Sequence, residues 1–258
     1  MLLTRFLDKL ASLTTTTIDI SFSDGAMNQQ SGSIGSSSST NASVDPISNT
    51  RHYFTDKTIL ELGCGTGLTS IAVAKLIAAS TDTSSSNNKT AKRPQILATD
   101  GNEEVLQLTA RNIERNNVSA YVQATPLKWG LLNAIEYSDS IDVVLGSDLT
   151  YNSGSWPLLA ESVDAVLKPR SGIFVYATAG HAGFTLDSEL DGFIAVAESK
   201  GLVLLKESDP RWPWRIHGIA NQQPLFLSSI LNSLVRPNEK SVLDTTRGAR
   251  VLVWAHRN

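Results

Sequence analysis

The chain of 258 residues is short of several things, and each shortage narrows what it can be. It has a single cysteine, Cys64, which excludes an internal disulfide framework and a cysteine-based zinc site. A reducing compartment is the expectation, cytoplasmic first and nuclear second. No apolar run approaches the length of a membrane span, and residues 1–20 carry Arg5 and Lys9 without a continuous apolar core, so neither a transmembrane helix nor a secretory signal is expected. Positive charge is not in excess: 22 Lys and Arg stand against 25 Asp and Glu, for a net charge of −3. Proteins that live on phosphate backbones usually carry a basic stripe, so nucleic acid is not the expected partner. The four histidines, His52, His181, His217 and His256, are scattered without metal-ligand spacing, and no metal is expected. Nothing repeats internally, and a monomer is expected.

Two stretches also lack anything to bury. Residues 23–50 and 80–92 are dominated by Ser, Gly, Asn, Thr and Lys. Such composition cannot offset the entropy of ordering, which predicts a disordered linker and a disordered loop insertion. Ahead of the first tract, Leu2, Leu3, Phe6, Leu7 and Leu10 recur at helical spacing and residues 14–22 are β-prone. The expected organisation is a helix/strand appendage over 1–22, a linker over 23–50 and one folded domain over 51–258.

Within that domain, apolar strand candidates at 58–63, 95–99, 119–124, 141–147, 172–178, 201–206 and 249–255 alternate with helix candidates at 67–79, 102–116, 155–168 and 184–200. Gly101, Pro169, Gly172 and Gly201 mark the joints. Alternation of this kind predicts an α/β fold: a Rossmann-like doubly wound sheet of seven strands, mostly parallel. The stretch 207–248 reads as irregular, so the last strand is expected to return antiparallel.

In an open parallel sheet, ligands bind beyond the carboxyl ends of the strands. The first such end reads Ile59-Leu60-Glu61-Leu62-Gly63-Cys64-Gly65-Thr66-Gly67. Glycines there permit a tight turn and close approach of a ligand, and the following helix points its N-terminus at the same place. A dinucleotide loop wants Gly-x-Gly-x-x-Gly, but the third glycine, Gly67, comes one position early. Glu61 would repel a diphosphate and suits the cationic ammonium and sulfonium of S-adenosylmethionine. The second strand ends in Asp100, a carboxylate able to accept both ribose hydroxyls of an adenosyl group or, alternatively, to cap the helix that follows. Cys64 reads as a small packing residue.

These residues, with Leu127-Lys128-Trp129-Gly130 and the run from Asp142 through Gly146-Ser147-Asp148-Leu149-Thr150 to Tyr151, resemble the seven-β-strand methyltransferases called methyltransferase family 16. Characterised members are mostly protein-lysine methyltransferases, many acting on translation elongation factors or chaperones. The resemblance is good over 58–178 and holds only in outline beyond. It implies that Gly63, Cys64 and Gly65 pass their backbone along the methionine part of S-adenosylmethionine and that Asp100 holds the ribose. It further implies that Trp129 flanks the adenine (plain core packing is the competing reading), that Ser147 lines the floor, and that Asp148 and Tyr151 stand where a lysine-bearing protein substrate arrives. The family's Thr-Trp-x-Ala-like segment ahead of the glycine loop has no counterpart, since the first tryptophan is Trp129.

Methyl transfer from a sulfonium is an in-line displacement, for which alignment is the main requirement. Asp148 is expected to orient the incoming ammonium and Tyr151 to border its channel. Adenine-N6 chemistry is disfavoured because Asp148-Leu149-Thr150-Tyr151 has no prolines, and cytosine-C5 chemistry because Cys64 lies in the cofactor loop. A small-molecule N- or O-methyltransferase and a degenerate domain that only binds a partner are the competing functions. The basic, aromatic run Arg211-Trp212-Pro213-Trp214-Arg215 reads as a substrate-facing loop or as packing at the sheet edge.

Overall fold

The computed structural model describes residues 53–81, 95–179, 186–206, 208–213 and 249–257. The appendage over 1–22, the tract 23–50, residues 82–92 of the insertion and Trp214 lie outside them. Besides two single-turn 3-10 helices, twelve strands and α-helices follow in chain order: β1 (Thr58–Leu62), α1 (Leu68–Thr81), β2 (Gln95–Asp100), α2 (Glu103–Arg115), β3 (Val122–Pro126), α3 (Leu131–Ala134), β4 (Val143–Ser147), α4 (Trp156–Val166), β5 (Ile173–Ala179), α5 (Leu186–Ser199), β6 (Leu202–Leu204) and β7 (Ala249–His256). The seven strands form one sheet in the order β3-β2-β1-β4-β5-β7-β6. β1 to β5 run parallel, and β7 is antiparallel to both its neighbours. The expected Rossmann-like architecture is therefore present, with one refinement: the last strand inserts between β5 and β6, leaving β6 at the edge.

The strands read as continuous apolar runs because both faces are covered. Side chains alternate across the sheet. Ile59, Ile96, Val143 and Val175 join α1 and α2 in one core, while Leu60, Leu97, Val144, Phe174 and Tyr176 join α4 and α5 in the other. Helix α1 has no polar stripe, and every residue from Ile71 to Ala74, with Leu76 and Ile77, is buried. It continues through Ser80 and Thr81, which composition assigned to the loop. In the second core Trp254 stacks on Phe174 and meets Phe193 edge-on, with centroids 5.5 and 5.7 Å apart.

Two local readings are corrected. Strand β3 begins at Val122 rather than residue 119, because α2 ends in a left-handed Asn117 (φ 56°) and residues 118–121 close a turn through the Tyr121 N–H to Val118 carbonyl bond of 2.8 Å. The cap of α2 is Asn102, whose side chain accepts from the N–H groups of Glu104 and Val105, and not Asp100. The Trp-Pro segment lies at the sheet: Trp212 packs on the first core and Arg211 donates to the His256 carbonyl at 2.8 Å.

At the amino ends of the strands, Asp142 ties β1 to β4. Its carboxylate accepts the Thr58 N–H at 2.8 Å and the Lys168 ammonium at 2.9 Å. Burial pushes this carboxyl up, but Lys168 and the Thr58 N–H together outweigh burial and hold it below the usual carboxylate range. The stabilisation is thus present above the unfolded value of 3.8 and is lost as pH falls through the lower folded value. Asp142→Ala is expected to cost about 2 kcal/mol at pH 7, mostly from the orphaned Thr58 N–H, since the lysine is partly exposed. Thermal unfolding from pH 7 to pH 3 checks it: the gap to the parent narrows below about pH 4.

Candidate active site

The order of strands reverses between β1 and β4, and the crevice beyond their carboxyl ends is where the glycine loop and the Asp148–Tyr151 loop meet. All three loop glycines adopt left-handed backbone: Gly63 at φ 58°, Gly65 at 55° and Gly67 at 78°. Space adds a second demand at two of them. A Cβ on Gly63 would lie 2.8 Å from Leu149 Cδ2, and one on Gly67 would lie 2.7 Å from Thr109 Cγ2. At Gly65 nothing lies within 4 Å, so its missing side chain opens the loop outward.

Helix α2 and strand β2 hold this loop from within. Thr109 donates its hydroxyl to the Gly65 carbonyl at 2.6 Å and Asn112 donates its amide to the Thr66 carbonyl at 2.9 Å. Cys64 donates its N–H to the Thr99 carbonyl at 2.8 Å. Sequence reading missed Thr109 and Asn112. The available signal was two polar residues on the stripe that also buries Leu106 and Ile113, where unpaired polar groups are costly. Burial pushes the Cys64 thiol up, as a packing residue requires and a nucleophile does not.

Asp100 bridges two elements. One carboxylate oxygen accepts the Gly65 N–H at 3.2 Å and the other accepts the Asn102 N–H at 3.0 Å. Each oxygen retains a second lone pair. Asp100 also lines a cleft of about 530 Å³ with Gly101, Leu127, Lys128, Leu132 and Ile135. Trp129 is half-buried against the second core, its ring 3.4 Å from the point a Gly63 Cβ would occupy, and the cleft is lined by its neighbours Leu127 and Lys128. Ser147 carries a buried hydroxyl with no protein partner, an orphan that a bound polar ligand would satisfy.

Glu61 sits one layer behind the loop, 2% exposed. Its carboxylate accepts the N–H and the hydroxyl of Ser70 at 3.0 and 2.6 Å, tying β1 to the first turn of α1. Its contacts here are thus to the helix rather than to the loop surface where a cofactor cation would lie. Burial pushes this carboxyl up to about 7 against the Ser70 bonds.

The loop after β4 carries Asp148 in left-handed backbone at φ 55°, a conformation Asp tolerates better than most residues. Tyr151 is 62% exposed at the mouth. Between them, Leu149 and Thr150 are buried. Leu149 reaches two glycines at once: its Cδ1 lies 2.8 Å from where a Gly146 Cβ would be and its Cδ2 fills the same place at Gly63. Thr150 is bonded by Tyr176, Glu189 and Trp156. The structure therefore brings together Gly63, Gly65, Asp100, Trp129, Ser147 and the Asp148–Tyr151 loop, and places Glu61 and Cys64 behind them. Among the described residues no group of His, Cys, Asp and Glu could hold a metal, and no helix is long and apolar enough to cross a membrane.

Comparison with known proteins points the same way. A family model described as "Lysine methyltransferase" matches residues 30–183. The chain is 31% identical to the protein-lysine N-methyltransferase EFM3 of Chaetomium thermophilum, over 60% of this chain and 44% of that one. It is 29% identical to the calmodulin-lysine N-methyltransferase of Arabidopsis thaliana, over 45% and 35% of the two chains. Against EEF1A lysine methyltransferase 3 of Xenopus tropicalis it is 29% identical over 47% of each. The chain thus spans less than half the length of these relatives.

Two outcomes test the geometry. Gly63→Ala is expected to destabilise by about 2–4 kcal/mol, from left-handed strain and the Leu149 clash. Leu149→Ala in the same chain should return at least about 1 kcal/mol of it, read as coupling in a double-mutant cycle by denaturant unfolding. For Glu61, the folded value is raised from 4.5 to about 7, so its contribution is fully present below pH 4.5 and is lost as pH rises through about 7. Glu61→Gln keeps an acceptor for Ser70 and removes that titration. Its melting temperature relative to the parent is expected to move in its favour by several degrees between pH 5 and pH 8.

Proposed function

The chain belongs to the lysine methyltransferase family, and from that premise we propose that it transfers a methyl group from S-adenosylmethionine to a lysine side chain of a protein. The observation that carries the reading is the meeting, at one switch point, of an outward-open Gly65, the Asp100 carboxylate bonded to it and the Asp148–Tyr151 loop packed on Gly63 through Leu149. When bound, S-adenosylmethionine supplies a methyl group on a cationic sulfur. The residues present fit it: Gly65, with nothing within 4 Å of its absent side chain, leaves room for the methionine portion, Asp100 has lone pairs for the ribose hydroxyls, the cleft from Gly101 to Ile135 suits the adenine, with Trp129 next in the chain to its Lys128 wall, and the Ser147 hydroxyl gains a partner. Glu61 and Cys64 support the loop from behind.

The acceptor lysine arrives as an ammonium, with a reference pKa of about 10.4, and a nucleophile needs its lone pair free. Asp148 orients that ammonium at the mouth of the site. Tyr151 borders the channel and hydrogen-bonds the amine, whose proton leaves to solvent at this exposed mouth before transfer, and the buried Leu149 beneath them keeps water from below, which favours the neutral amine. The enzyme's chief contribution is alignment. Translation factors are the favoured substrate class, on the likeness to the EEF1A enzyme, with calmodulin-like proteins the contrast supplied by the plant relative. The cytoplasm, or the nucleus, is the compartment that a lone cysteine and such substrates suit.

Incubation with radiolabelled S-adenosylmethionine and a cell extract tests the reading. Label is expected in a discrete protein band and, after acid hydrolysis, in methyl-lysine; label only in small molecules rejects a protein substrate. Calorimetry showing no binding at high micromolar S-adenosylmethionine would favour a partner-binding domain instead. Asp148→Asn keeps the tolerance of left-handed backbone and removes the charge. It should bind the cofactor like the parent and transfer methyl groups at least about tenfold more slowly.

A further inference from the structure

Thr150 lies in the middle of the Asp148–Tyr151 loop, and every one of its polar atoms is engaged inside the protein. Its N–H donates to the Tyr176 hydroxyl oxygen at 3.1 Å, and its carbonyl accepts the Trp156 indole N–H at 2.8 Å. Its hydroxyl donates to a carboxylate oxygen of Glu189 on α5. With that proton committed, the Tyr176 hydroxyl donates to Thr150 Oγ1 at 2.8 Å, while its oxygen also accepts the Leu149 N–H at 2.9 Å. The bonds therefore run in one direction and end on a carboxylate that is 1% exposed. A buried carboxylate is costly unless it is hydrogen-bonded, and nothing in the chemistry proposed above uses this one.

Helix α5 grips the loop by a second route. A Cβ on Gly192 would lie 2.5 Å from Trp156 Cζ3, so the indole that holds the Thr150 carbonyl is seated against α5 where a side chain is missing. Glu189 and Gly192 are three residues apart and share a helix face. The strained Asp148 precedes this anchor by two residues and the exposed Tyr151 follows it directly. Strained backbone persists where its surroundings over-determine it: the Asp148 N–H is held by the Ala177 carbonyl at 2.9 Å, Leu149 by packing on Gly63 and Gly146, and Thr150 by α4 and α5.

We propose that Glu189, acting through Thr150, is a positioning residue for methyl transfer: α5 sets where Asp148 and Tyr151 stand relative to the glycine loop. The inference rests on the function proposed above and concerns the acceptor side alone, since neither Glu189 nor Thr150 lines the cleft beside Asp100. Displacement of aligned groups by about 1 Å can cost of the order of a hundredfold in rate, so a loosened anchor is read in turnover before it is read in cofactor binding.

The test uses the full chain carrying Thr150→Val, which removes the hydroxyl at nearly constant volume, and Thr150→Ser, which keeps it. Glu189→Leu and Glu189→Gln repeat the comparison from α5 should Val at 150 fail to fold. Three quantities are read at a temperature where each variant is folded: amide hydrogen exchange across 143–151, calorimetric affinity for S-adenosylmethionine, and label transferred from S-adenosylmethionine into extract protein. For Thr150→Val and Glu189→Leu, exchange at 148–151 is expected to rise at least about tenfold while 143–146 stay protected. Cofactor affinity should hold within about twofold and transfer should fall about tenfold or more, with Ser and Gln restoring at least half of it. Parent-like transfer in Thr150→Val or Glu189→Leu overturns the proposal, as does unchanged exchange at 148–151. If the parent itself transfers no label, the proposed function fails, and the exchange comparison alone then decides whether the anchor exists.

Discussion

The site depends on one side chain entering two gaps. Leu149 places its two methyl groups where Cβ atoms would stand on Gly63 and Gly146. The first glycine opens the loop after β1, and the second lies in β4. A single leucine therefore holds the loop suited to a cofactor against the loop suited to an acceptor, by contact, while α5 orients the second of them. Close-packed interiors transmit displacement because they contain no slack. A change at Leu149 is thus felt in both loops.

Around that contact, polar groups do the orienting. The glycine loop is held by Thr109, Asn112 and Asp100, and the loop after β4 by Tyr176, Trp156 and Glu189. Apart from Glu189, which accepts the Thr150 hydroxyl, they pair backbone atoms that a tight turn cannot pair for itself. The two sets come from opposite layers, α2 on one face of the sheet and α4 and α5 on the other. That arrangement lets each face of the sheet hold one of the two loops, with the sheet as a common rigid reference. Glu61, from β1, adds a third tie by fixing where α1 starts.

Much of this was legible in the chain. Seven apolar runs and four helical windows fell close to the observed elements, because strands covered on both faces are apolar throughout and glycines punctuate the joints. The glycine loop and Asp100 could be found because each stands at a strand end, and the Asp148–Tyr151 loop through its resemblance to the family. Three things were not legible. The start of β3 moved because Asn117 took a left-handed turn that no spacing rule demands. Glu61 turned away from the loop because the free N–H groups of α1 compete for a carboxylate at that distance. Trp129 remained divided between packing and flanking, and it packs on the core with its ring beside Gly63.

The sequence by itself determined the order of elements, the mostly parallel sheet and the glycine loop at a strand end, since periodicity and glycine placement are local properties that survive without the fold. Only the tertiary structure decided who holds whom. Leu149 with Gly63, Thr109 with Gly65, and Glu189 with Thr150 are separated by 39 to 86 residues, and no local pattern links them. The reason is physical: a hydrogen bond or a filled void depends on where two backbones come to rest, and that is settled by packing the helices on both faces of the sheet.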